Sequence, residues 1–292
     1  MRHLIHRVIW VALFLCVIQL SFAQRIIWSP EPLASGSPSL FAIDLPAATV
    51  HVTASWQNHQ LVFFRASRAN TWYGLAGVDV EVTPGDYPLV VEAVLRDGTR
   101  RTINQQIPVE AASYEEIPLS VPDRFVEPNA AELRKIAADQ GLKNKAFART
   151  AAVPLWSGPF RPPLKVAPET DSFGTRRVFN GKLATVHRGL DYHARPRTPV
   201  FAVNSGRVVL ARPLYYEGNC VIIDHGLGLM TLYMHLSRFN VKEGARVRSG
   251  QIIALSGGTG RVTGPHLHLG VRWQAAYLDP VKLYALQLPT LR

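Results

Sequence analysis

Cysteine is scarce, with two in 292 residues. One of them, Cys16, falls in a leading apolar segment, so the remainder holds Cys220 alone and must stay folded without an internal disulfide. Cys220 stands in the β-branched run Asn219-Cys220-Val221-Ile222-Ile223, where a buried packing role suits a thiol better than nucleophilic catalysis. After the leading segment no apolar run approaches the roughly 20 residues that a spanning helix needs. Basic residues outnumber acidic ones 32 to 21, yet they are scattered, with no dense block of the kind that marks a nucleic-acid patch. The glycine run Gly257-Gly258-Thr259-Gly260 is followed by no Gly-Lys-Ser/Thr and by no legible helix, which excludes a phosphate loop and leaves a tight turn. Solenoid repeats and low-complexity tracts are absent as well. What remains, 47% apolar and 18% charged, is the composition of an ordinary folded protein of about two domains.

The first residues address the compartment. Arg2 and Arg7 precede an almost wholly apolar stretch from Val8 to Leu20, and Ser21-Phe22-Ala23 ends on small residues where a signal peptidase inspects the chain. This reads as a secretory signal peptide over 1–23 rather than an uncleaved anchor, because its apolar core is short. Phe14 and Leu15 are too bulky before Cys16 for a lipoprotein site. The expected location is therefore the periplasm or cell envelope, or the extracellular space. The formal charge of +11, two units of it from Arg2 and Arg7, favours an anionic surface as partner. Charge alone does not choose between nucleic acid, an anionic wall and a membrane surface.

Residues 24–112 read as strand and turn throughout. Six or seven short β-rich runs are separated by breakers such as Pro84-Gly85-Asp86 and Asp97-Gly98. Val78, Val80 and Val82 alternate with Asp79 and Glu81, the period of a strand with one wet face. The spacing predicts a small immunoglobulin-like β-sandwich that lacks the usual cysteine pair. His51 and His59 are lone histidines here, expected to be structural. Residues 113–160 form a proline-rich linker around one helix, from Asn129 to about Phe147, which Gly141 weakens or ends. From 161 to 292 strands return with glycine at nearly every junction, and only Pro280 to Ala285 reads as a further helix. The whole is all-β, closing on a compact antiparallel sheet.

The chemistry is concentrated in that last stretch, which holds six of the ten histidines. His187-Arg188-Gly189-Leu190-Asp191 pairs an imidazole and a carboxylate four residues apart. On an extended strand that is about 13 Å, so the two converge on one ion only if the backbone curls, and Gly189 is the residue that allows it. His266 and His268, two apart on a strand, share one face about 6.5–7 Å apart at the backbone. One can bind a metal while the other faces the water beside it, and the spacing leaves open which does which. His235, in Tyr233-Met234-His235-Leu236, closes another β-run and offers a further imidazole. Such a set suits a hydrolase, in which an ion acidifies water and an imidazole moves the proton. His225 reads as a turn residue and His193 as structural.

In these residues the chain resembles the lysostaphin-type, LytM-like zinc metallopeptidases of bacterial peptidoglycan. The resemblance runs from Phe173-Gly174-Thr175-Arg176 to Pro280. It rests on His187-x-x-x-Asp191, on Gly218-Asn219-Cys220-Val221-Ile222-Ile223-Asp224-His225-Gly226, on Tyr233-Met234-His235-Leu236 and on Thr263-Gly264-Pro265-His266-Leu267-His268. It implies Zn2+ held by His187, Asp191 and His268, with His235 and His266 as the catalytic histidines. It also implies peptidoglycan peptide stems or cross-bridges, rather than nucleic acid, as the partner. No ligand or catalytic position departs from the family pattern, which matters because degenerate relatives act without turnover as wall-binding or hydrolase-activator proteins. A peptidase for ordinary secreted proteins is the other rival.

Overall fold

The computed structural model describes residues 24–66, 70–166 and 168–290, so the expected signal peptide over 1–23 lies outside the described residues. Two sheets make up the first unit. The smaller joins Ile27–Ser29, Pro38–Asp44 and Thr71–Gly77; the larger joins Leu33–Ala34, Arg100–Glu110, Gly85–Leu95, Thr49–Trp56 and His59–Val62. Alternate residues of each strand turn inward, and Phe41 of one sheet meets Trp56 of the other edge-on, their rings 5.3 Å apart. The buried Trp56 indole donates to Gly77 O at 3.1 Å, so its one polar group is satisfied across the sandwich.

The expected strand over Val78–Val82 is instead a turn, and the preceding segment, Thr71–Gly77, is the strand. Val78 and Val80 are buried as their alternation implies. Asp79 explains the difference, because its carboxylate accepts from Glu81 N and, across the molecule, from Tyr277 N at 2.7 Å. A short acid bonded to nearby backbone competes with a ladder. The hairpin at Asp97-Gly98 forms as expected, with Gly98 N donating to Leu95 O.

The segment 113–160 is more than a tether. Glu116–Leu119 pairs in parallel with Arg176–Phe179, which pairs in turn with Leu183–Val186 to make a three-stranded sheet. The helix spans Ala130–Phe147 and starts on a capping box, Asn129 accepting from Ala131 N and Glu132 N while Glu132 accepts from Asn129 N. It runs through Gly141 to the expected end at Phe147, because it is held from both sides of that residue. Asp139 accepts from Tyr215 N at 2.8 Å, and Leu142, Ala146 and Phe147 pack on Val209, Leu210, Cys220 and Ile222. Cys220 is wholly buried in this contact, and burial pushes its thiol well above the ordinary value.

The second large sheet has ten strands. Its path runs Glu169–Asp171, Leu190–Tyr192, Leu267–Trp273, Leu229–Phe239, Gly218–Asp224, Gly206–Leu214 and Arg246–Val247, antiparallel at every step. Register does the work that sequence separation hides: Asp191 lies opposite His268, and His268 lies opposite Met234. Three neighbouring strands thereby set Asp191, His268 and Met234 in a row, with His235 next along its strand. The sandwich abuts this sheet directly. Leu278 packs on Gly77, and Arg188 pairs with Glu81 and covers the Tyr277 ring. No helix among the described residues is long and apolar enough to cross a membrane.

Candidate active site

His187 follows the Leu183–Val186 strand, and its backbone bonds in both directions to the Gly174–Thr175 turn. The chain then bends through Arg188 and Gly189 into Leu190–Tyr192, which brings Asp191 back beside it. Gly189 is needed here for closeness rather than for backbone freedom. A Cβ at that position would come within 2.5 Å of His268 Cε1 and 2.6 Å of Leu269 O, contacts that real side chains do not make. The expected curl is present, and its glycine lets the loop lie flat against the facing imidazole.

Three ligand-type atoms converge. His187 Nε2 stands 3.2 Å from Asp191 Oδ1 and 3.0 Å from His268 Nδ1, and His268 Nδ1 is 2.8 Å from the same Asp191 oxygen. Donors about 2 Å from one ion at tetrahedral angles lie about 3.3 Å apart, close to these separations. His187 Nδ1 is 2.8 Å from Ser172 O, an atom that only accepts, so Nδ1 donates there and Nε2 is the atom turned toward Asp191 and His268. All three residues are buried, and the donor set of two imidazoles and one carboxylate fits zinc.

Sequence reasoning overlooked the support around this cluster. Arg177 bridges Asp191 Oδ2 and Asp171 Oδ2, and so occupies the oxygen that His187 and His268 leave free. Its signal was faint, one arginine of the adjacent pair Arg176-Arg177, and only strand alternation turns Arg177 toward the site. Burial alone would raise the Asp191 carboxyl, but bonding to His187 and His268 takes it well below the ordinary value and keeps it anionic. Burial likewise lowers His268 to about 4, which leaves its nitrogen free of a proton at neutral pH.

His235 and His266 stand beside the cluster, ring centroids 4.7 Å apart. His235 adopts φ +60°, a left-handed conformation uncommon outside glycine and of the kind found where a side chain must be aimed. Thr259 O accepts from its Nδ1 at 2.8 Å, so the Gly257–Gly260 turn fixes that ring. His266 is fixed in the same way by Gly264 O at 2.8 Å, and its Nε2 lies 3.7 Å from Asp191 Oδ2. Both rings thus donate from Nδ1 to a backbone carbonyl, which leaves Nε2 as the atom each has for the cleft. Burial, reinforced by the charges of His266 and His268, holds His235 well below the ordinary imidazole value. The four imidazoles and the carboxylate line one cleft of about 570 Å³.

The other histidines among the described residues stand outside the cluster. His225 is wholly buried and satisfied by Ser205 O at 2.7 Å and Thr231 Oγ1 at 2.8 Å. His193 is exposed at the cleft rim, His51 is exposed, and His59 packs edge-on against Trp273.

An antiparallel sheet that holds a His–Asp–His cluster and two aimed imidazoles in an open cleft has the layout of a metallopeptidase domain. Residues 185–280 match the family described as Peptidase family M23. Its curated relatives include Peptidoglycan DD-endopeptidase ShyA of Vibrio cholerae serotype O1, 51% identical over 100 residues, which cover 34% of this chain and 23% of that protein. They also include DD-carboxypeptidase/endopeptidase Mpg of Neisseria meningitidis serogroup B, 43% identical over 106 residues, covering 36% of this chain and 24% of the relative. The chain therefore spans about a quarter of the length of these relatives. Among solved structures, one from Pseudomonas aeruginosa described as a peptidase M23 superposes with a TM-score of 0.66 at 23% identity, over 87% of this chain and 96% of its own. That likeness is one of fold, and it extends beyond the matched domain.

Proposed function

We propose that this protein is an exported zinc metalloendopeptidase that hydrolyses peptide bonds in bacterial peptidoglycan. The observation that carries the reading is the convergence of His187 Nε2, Asp191 Oδ1 and His268 Nδ1, with two further histidines, each anchored through Nδ1, beside them. The matched family and the endopeptidase names of the relatives supply the reaction class and the substrate.

His187, Asp191 and His268 would hold the ion. When bound, zinc lowers the pKa of water toward about 7 and polarises a carbonyl. The protein's own groups do the rest. Asp191 contributes the single negative charge of the ligand set, and Arg177 fixes its second oxygen so that the carboxylate does not swing. His266, its Nδ1 proton engaged by Gly264 O, has Nε2 free to take the proton of the attacking water. His235, oriented by Thr259 O, presents a second Nε2 that accepts a hydrogen bond from the attacking water and so aims its oxygen at the carbonyl carbon. The proton then passes to the leaving amine.

Mass spectrometry of the products from purified sacculi tests this reading. The expected result is release of muropeptides cut within the stem or cross-bridge, suppressed by a chelator. Intact sacculi after treatment with the zinc-loaded protein would favour the wall-binding or activator alternative, whereas cleavage of glycine-rich protein substrates alone would favour the secreted-protein peptidase.

A further inference from the structure

One cation in the cleft has no role in the scheme above. Arg261 lies in the loop between the Gly257–Gly260 turn and His266, and its guanidinium rests against two rings, 4.7 Å from the centre of Phe179 and 4.6 Å from that of Tyr216. Among the described residues its side chain has no hydrogen-bond acceptor and no carboxylate in ion-pair range; its backbone N–H alone is bonded, to Tyr216 O. Every other arginine that lines the cleft is matched: Arg177 by Asp171 and Asp191, and Arg188 by Glu81. A half-buried guanidinium with five donors and no acceptor is costly; burial and the charge of Arg177 work against its ionised form, offset in part by Tyr216 and Glu217. An anion arriving in the cleft would relieve that cost.

Position narrows the ligand. Phe179 is two residues from Arg177 on one strand, so both face the cleft about 6.5–7 Å apart at the backbone. Arg261, stacked on Phe179, therefore lies beyond Arg177 and the Asp191 cluster, at a distance a peptide covers in a few residues. Contact with the two rings leaves the guanidinium N–H groups unused, and two of them can pair with the two oxygens of a carboxylate.

We propose that Arg261 is a specificity-determining residue which binds a free carboxylate of the peptide substrate, a few residues from the bond that is cut. The inference rests on the reading of this cleft as a peptide-binding site, and its test uses binding so that it does not depend on turnover. The probes are a peptidoglycan stem tetrapeptide with free carboxylates and the same peptide with those carboxylates amidated, titrated into the zinc-loaded full chain by calorimetry. Wild type binds the free acid at least about tenfold more tightly, the range of a charge-assisted bidentate pair. In Arg261→Met, whose unbranched thioether keeps the slot between the rings filled, the preference falls to within about twofold. Arg261→Lys retains part of it, as a point charge without the fork. Equal binding of the two peptides by wild type overturns the proposal, with no variant needed. An undiminished preference in Arg261→Met also overturns it, because the anion would then be answering to Arg177 or to overall charge. A uniform loss for both peptides would show that Arg261 only pins the loop to Phe179 and Tyr216. Failure of the peptidase reading shows separately, as intact sacculi.

Discussion

His235 and His266 differ from the other three residues of the cleft in what their removal should do. Neither is among the three converging atoms, and each is anchored by a backbone carbonyl, Thr259 O or Gly264 O. Replacing either by alanine is therefore expected to leave one zinc per chain by elemental analysis. Muropeptide release should nevertheless fall on the order of 10²–10⁴-fold, the usual worth of a positioned proton carrier. Loss of metal in step with loss of activity would assign them to the metal instead. His225 makes a contrasting case, a histidine whose titration concerns stability and not the reaction. Burial lowers it to about 4 from an ordinary 6.5, so below pH 6.5 the unfolded chain takes up a proton that the folded chain refuses. Its contribution is intact above pH 6.5 and is lost as pH falls toward 4, about 3 kcal/mol over that interval. Denaturant titrations at pH 7 and pH 4 check this. His225→Gln should fall less steeply with acid than wild type, and equal slopes would contradict the assignment.

At the scale of elements, the bend between Leu183–Val186 and Leu190–Tyr192 is the tightest constraint on the site. Gly189→Ala would drive a methyl group into the His268 ring and Leu269 O. The expected cost is about 1–3 kcal/mol of stability, as for overpacked cores, with zinc affinity reduced at least tenfold. Thermal melts with and without metal would show both effects; a variant with wild-type affinity would mean that the bend is slack. This is also where sequence and structure part company. The five candidate residues that meet in the cleft stood out because each lies in a short motif, and the Pro280–Ala285 helix was legible from its pattern. Arg177 was not, since its partner Asp191 lies fourteen residues away on a strand of another sheet. Parallel pairing of Glu116–Leu119 with Arg176–Phe179 was also out of reach, because contacts across some sixty residues leave no local periodicity. Val78–Val82 misled because a turn closed by Asp79 buries the same two valines as a strand would. The helix keeps its expected length to Phe147 despite Gly141, since packing on either side of it outweighs an intrinsic helix cost of about 1 kcal/mol.

For the whole molecule, the sandwich and the ten-stranded sheet are joined at the back of the metal loop. Arg188, next to His187, pairs with Glu81, and Asp79 holds Tyr277, which lines the cleft. The Glu116–Leu119 strand adds Ile117 and Leu119 to the cleft wall, so the connecting segment is built into the site rather than strung beside it. Overall charge acts at the same scale. With +11 formal charge and basic residues spread along the chain, attachment to an anionic wall should weaken several-fold from 50 to 500 mM salt, as the screening length shrinks below about 5 Å. Pelleting with sacculi across that range measures it, and salt-independent binding would remove the electrostatic contribution.

The most direct test is a titration of zinc into metal-free protein while muropeptide release from purified sacculi is followed. Activity should climb in proportion to added metal and level off at one equivalent per chain. Asp191→Asn, which keeps the shape and removes the charge, should remain inactive throughout that range. Full activity in the stripped wild type, or an undiminished response in Asp191→Asn, would contradict a site in which His187, Asp191 and His268 share a single ion.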